Sequence, residues 1–128
     1  LRVYGYEIGM AFQIVDDILD FTGDQATVGK PIGSDLRQGL ITLPALKYIE
    51  RHPEHPASAR LLANECLKDE AQLRSLIEAI RMSDAIMEAH QEACDYVKRG
   101  LESLCTIPHS FERDRLEELG EYIVKRDF

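Results

Sequence analysis

Asp16, Asp17, Asp20, Asp24 and Asp35 bring five acidic side chains into one early stretch, against few cations, chiefly Lys30 and Arg37. The run Gly9-Met-Ala-Phe-Gln-Ile-Val-Asp-Asp-Ile-Leu-Asp20 has a helical pattern, so Asp16 and Asp20 lie one turn apart, about 6 Å along the axis, with Asp17 beside them. Left to themselves, such carboxylates repel. Magnesium would relieve that repulsion: it takes hard oxygen donors, keeps some waters, and bridges carboxylates to phosphates. The alternative is a solvated acidic helix end. Two features favour the metal. The acids fall in the last turns before Gly23, where the helix dipole disfavours each negative group by roughly 0.3–1 kcal/mol. Their neighbours are also strongly apolar, unlike a mixed surface patch.

Other chemistries fit poorly. A calcium loop starting at Asp16 or Asp20 would have Ile18 or Thr22 at its third position, lacks the central glycine and ends without the required glutamate. Gly29-Lys-Pro-Ile-Gly-Ser34 is not a nucleotide-binding loop, because its order is wrong and no strand precedes it. Lys30 would instead suit a cation reaching across to a metal-bound diphosphate. His52, His55, His90 and His109 show no pairing at zinc-ligand spacing. Ser34, Ser83 and Ser110 occupy turn or cap positions, where a hydroxyl has an ordinary structural use.

The elements that must carry these residues are all helical. From Leu1 to about Thr22, Tyr4, Ile8, Phe12, Val15, Ile18 and Leu19 make one apolar side, widened by Val3, Met10, Ile14 and Phe21. A helix this apolar belongs inside a bundle, with the arc of Gly9, Gln13, Asp16, Asp17 and Asp20 facing a cavity. Residues 23–35, with three glycines and a proline, form a shaped loop. Thr42 is placed to cap a helix running to about Arg51, with Pro44 in its first turn. His52-Pro-Glu-His-Pro56 breaks it. Further helices span about 57–67, 70–82, 83–104 with Ser83 as cap, and 111–125 with Leu116, Leu119 and Ile123 as inner face. No segment alternates as a strand.

A chain of 128 residues, 45% hydrophobic and 30% charged, supports a single domain. Its net charge of −8 argues against a nucleic-acid partner. Cys66, Cys94 and Cys105 lack metal or redox spacing and suit a cytoplasmic protein with reduced thiols. No apolar run reaches the roughly 18 residues of a transmembrane helix, and no signal-peptide pattern opens the chain.

These residues resemble the second aspartate-rich region of the trans-prenyl diphosphate synthases, all-helical enzymes that elongate isoprenoid diphosphates. The resemblance rests on Gly9-x-Ala-Phe-Gln-Ile-x-Asp-Asp-x-Leu-Asp20, then Gly23-Asp24, Gly29-Lys30, Gly33-x-Asp35-Leu36 and Gly39-x-x-Thr42-Leu43-Pro44, with a similar helical tail through Glu121–Arg126. It implies an isoprenoid synthase bundle, magnesium as cofactor, and condensation of isopentenyl diphosphate with an allylic diphosphate. It further implies Asp16 as principal magnesium ligand, with Asp17 and Asp20 arranging ligands or bound water. Lys30 would contact the allylic diphosphate, Gln13 would line the reaction site near the isopentenyl group, and Phe12 would shape its apolar wall.

Members of that family often carry lysine directly after the glycine matching Gly39, where this chain has Leu40. They are usually somewhat over twice this length. Their first aspartate-rich motif, and the basic residues that bind isopentenyl diphosphate, have no counterpart here. Residues 1–128 therefore resemble the C-terminal part of a synthase, inactive alone, whose full-length form would be a homodimer. Product length would be set upstream of the first motif. Two rivals stand beside this: a class I terpene cyclase, which would need no isopentenyl diphosphate, and a noncatalytic helical partner of a heteromeric synthase.

Overall fold

The computed structural model describes residues 1–23, 32–63 and 69–125, and every regular element among them is helical. In chain order these are α1 (Arg2–Thr22), α2 (Ser34–Arg37), α3 (Leu43–Arg51), α4 (Pro56–Leu62), α5 (Glu70–Met82) and α6 (Ala85–Ser103), then a single 3₁₀ turn (Leu104–Thr106) and α7 (Phe111–Val124). Residues 1–16 with 90–128 form one compact unit and residues 17–89 form another, so α1 contributes to both.

In the first unit, α1 packs through its N-terminal half on α6 and α7. Ile8 enters a gap made by two glycines: a Cβ at Gly100 would lie 3.0 Å from Ile8 Cδ1, and one at Gly120 would lie 3.2 Å from it. Glycine here is a matter of space. Around this contact Ala11, Val15, Ala93 and Val97 are buried. The Tyr4 hydroxyl donates to the Leu116 carbonyl at 2.6 Å, tying α1 to α7 and satisfying a polar group whose ring is buried. Burial also pushes the Tyr4 phenol above its ordinary pKa.

In the second unit, the core gathers Phe21 of α1, Leu36 of α2, Tyr48 and Ile49 of α3, Leu61 of α4, and Leu73, Leu76, Ile77 and Ile80 of α5. Helix starts are set by local polar groups. Asp69 caps α5 by accepting from the Ala71 amide, Ser83 accepts from the Ala85 amide at the start of α6, and Ser110 accepts from the Arg113 amide at the start of α7.

Several details differ from the sequence pattern. The expected loop over residues 23–35 already contains the start of α2. Thr42 stands at the expected cap position of α3, yet its side chain makes no capping hydrogen bond, and Pro44 sets the first turn. His55, read as part of a break, caps α4, its Nδ1 accepting from the Ala57 amide at 3.2 Å. Phe12 and Leu119, assigned to inner faces, are 50% and 49% exposed. On α7 the buried positions are Gly120 and Ile123, so the face turns towards the glycine that admits Ile8, and Leu119 is rotated to its edge.

Because Ile8 fills a space held open by two glycines, Ile8→Ala should lower the stability of the full-length protein by about 2–5 kcal/mol. An unchanged denaturation midpoint would contradict that packing.

Candidate functional site

Helical geometry puts Asp16 and Asp20 on one arc of α1, and burial separates them. Phe12, Gln13 and Asp16 fall within about 100° of arc, and all three are exposed. Gly5 and Gly9 continue this face towards the start of the helix, with nothing within 4 Å of a Cβ built at either. In this chain that face is exposed. It presents an aromatic ring, a carboxamide and a carboxylate side by side.

Asp20, one turn beyond Asp16, lies in a different environment. It is only 4% exposed. Its Oδ2 accepts the amide hydrogen of Asp35 at 3.1 Å, while its own carbonyl accepts from the Gly33 amide at 2.8 Å. Both contacts dock the turn leading into α2 on the end of α1. Gly33 is the N-cap residue of α2, with φ of 75°, a conformation glycine adopts without strain. A Cβ there would also fall 2.4 Å from Ile77 Cδ1.

The nearby cation expected to offset the acids is committed elsewhere. Arg37 Nη1 donates to Glu70 Oε1 at 2.6 Å, and this hydrogen bond, ahead of the charges of Arg37 and Arg74, holds the Glu70 carboxyl below its ordinary pKa. Leu40, where the resemblance leads one to expect lysine, is 55% exposed and follows Gly39, whose φ is 87°. Lys30, Asp24 and Gly29 lie outside the described residues.

Among the described residues, no three His, Cys, Asp or Glu side chains converge as a metal-holding group. Asp16 and Asp17 leave the axis about 100° apart, and Asp20 is covered by the turn leading into α2. Asp16 and the half-buried Asp17 still offer oxygen donors of the kind magnesium takes. The sequence reads this loop as returning polar groups to the acidic helix end, without naming the docking of Gly33 and Asp35 on Asp20. Its signal was the order Gly33-Ser-Asp-Leu36, a flexible residue followed by helix-start residues and then a core residue.

A family model described as Polyprenyl synthetase matches residues 1–80. Component 2 of heptaprenyl diphosphate synthase from Bacillus subtilis is 38% identical over 125 residues, covering 98% of this chain and 35% of that protein. The crystal structure of heptaprenyl diphosphate synthase from Staphylococcus aureus superposes with a TM-score of 0.89 at 32% identity, covering 99% of this chain and 39% of the other. Geranylgeranyl pyrophosphate synthase from Corynebacterium glutamicum, solved with isoprenyl diphosphate and magnesium, gives 0.78 at 30% identity, covering 99% and 37%. The chain thus spans between about a third and two-fifths of the proteins it matches.

Gly33→Ala should destabilise the full-length protein by about 1–2 kcal/mol from its backbone conformation alone, with a further steric cost against Ile77. Introduced into Ile77→Val, which removes Cδ1, the same change should cost less. Equal costs in the two backgrounds would dismiss the steric part.

Proposed function

Since the chain belongs to the polyprenyl synthetase family, we propose that the whole protein condenses isopentenyl diphosphate with an allylic diphosphate to give a longer polyprenyl diphosphate, and that residues 1–128 form its C-terminal part. In that reaction the allylic C–O bond breaks and the diphosphate leaves with the electron pair. The alkene of isopentenyl diphosphate attacks the resulting carbocation, and loss of a proton restores a double bond. The observation that carries this reading is the open face of α1, where Phe12, Gln13 and Asp16 stand together.

The donor set of Asp16 and Asp17 fits magnesium, which takes oxygen ligands and keeps part of its water shell. Asp16 is the proposed principal ligand, with Asp17 arranging ligands or bound water, while Asp20 Oδ2 accepts the Asp35 amide. When bound, magnesium would neutralise the charge that builds on the departing diphosphate. Gln13, about 100° of arc from Phe12, offers both a donor and an acceptor beside the isopentenyl group. The exposed ring of Phe12 gives the hydrocarbon chain an apolar wall. Lys30 is proposed to contact the allylic diphosphate as a point charge.

A homodimer of the full-length protein in the cytoplasm belongs to the same proposal. The cysteines Cys94 and Cys105, both free thiols, support that location, and no described helix is long and apolar enough to cross a membrane. The Bacillus subtilis relative is named as component 2 of its synthase, which favours a second reading: one partner of a heteromeric enzyme. Retention of Asp16 and Asp17 supports a catalytic over a noncatalytic role in either assembly.

Asp16→Ala in the full-length protein should reduce turnover on the order of a hundredfold or more and raise the magnesium requirement, with helix content preserved by circular dichroism. Unchanged turnover would shift the reading to a noncatalytic partner. Residues 1–128 alone should release no product from the two diphosphates, and steady product formation by the purified piece would refute its description as part of a site.

A further inference from the structure

A helix that opens on glycine has no side chain of its own with which to cap its first turn. Such is α2: Gly33 occupies the N-cap position, no side-chain cap is made there, and the amide at the second helical position, Asp35, is instead satisfied by Asp20 Oδ2 at 3.1 Å. This is the amide that an aspartate or serine at the N-cap ordinarily serves. Asp20 performs the same service from 15 residues away, on a different helix. The Gly33 amide donates to the backbone carbonyl of Asp20 at 2.8 Å, so a single residue of α1 receives two successive contacts from the incoming turn.

Burial separates Asp20 from Asp16. A carboxylate that coordinates magnesium must turn an oxygen towards the space holding the ion, its waters and the diphosphate. Asp16 is exposed on its helix, whereas Asp20 is 4% exposed and spends one oxygen on a backbone amide. Directly beneath this contact, Leu36 is buried in the core with Ile77, so the turn is held from both sides.

We propose that Asp20 is a positioning residue for the prenyl transfer and not a magnesium ligand: it caps α2 across the fold and fixes the turn over Gly33–Asp35 on the acid-bearing end of α1. This deepens the functional proposal above and rests on it for its kinetic consequence. What Asp20 supplies is an acceptor oxygen at a fixed place, and its negative charge is secondary. Asparagine caps helices about as well as aspartate does, which makes the distinction measurable.

The experiment compares Asp20→Asn, Asp20→Ala and Asp16→Asn in the full-length protein. It reads turnover, the magnesium concentration giving half the maximal rate, and hydrogen exchange at the Asp35 amide by fragmentation mass spectrometry. Asp20→Asn should keep turnover and magnesium requirement within about threefold and keep the Asp35 amide protected. Asp20→Ala should expose that amide and lower turnover on the order of tenfold to a hundredfold, without changing the magnesium requirement. Asp16→Asn should raise the magnesium requirement and leave the amide protected. A rise in magnesium requirement for Asp20→Asn matching that of Asp16→Asn overturns the proposal, as does a protected Asp35 amide in Asp20→Ala. Should the full-length protein fail to condense the two diphosphates, the functional reading falls, while exchange at Asp35 still decides whether Asp20 is the cap.

Discussion

A carboxylate buried near the C-terminal end of a helix works against two forces at once, since desolvation penalises its charge and the helix dipole presents it with negative potential. Asp20 in such a position accepts the Asp35 amide, which finds no side-chain cap at Gly33. Each group answers a deficit in the other. The exchange ties the end of α1 to the start of α2, and Leu36 then drops into the core formed by α3, α4 and α5. Backbone conformation serves the same contact, for only a residue at ease with φ of 75° turns the chain there while leaving Ile77 its room.

The two ends of α1 solve different problems. Near its start, close approach is the constraint, and Gly100 and Gly120 admit Ile8 between α6 and α7. Near its end, polar satisfaction is the constraint. Between them Phe12, Gln13 and Asp16 are exposed. A half-exposed phenylalanine stands here beside an exposed carboxylate. It becomes intelligible if a hydrocarbon tail lies along the ring while a charged head meets the acid, the arrangement the proposed substrates require.

Helix type and extent were largely legible because 3.6-residue periodicity and cap residues such as Asp69, Ser83 and Ser110 are local signals. What escaped was every feature decided across the chain. Phe12 falls with the apolar side of α1 in the sequence pattern because hydrophobicity carries no record of which arc a partner will cover. Leu119 falls inward by the same logic, although the glycine next to it is what faces Ile8. The acid cluster was legible as a cluster, from spacing alone. Its division into an exposed Asp16 and a buried Asp20 depends on a turn 15 residues away, which periodicity cannot report.

Charge supplies the last link between fold and proposed reaction. A chain of net charge −8 meets two diphosphates only if cations stand between them. Arg37 is committed to Glu70 on α5, and the position after Gly39, where the resemblance leads one to expect lysine, presents Leu40. Among the described residues, Arg37 is thus used for structure and Leu40 brings no charge. That leaves the proposed compensation to Lys30 and to divalent ions held at Asp16. An acidic helix face and an anionic substrate would then cease to be at odds, because a metal that relieved repulsion among the aspartates would also draw the diphosphate in.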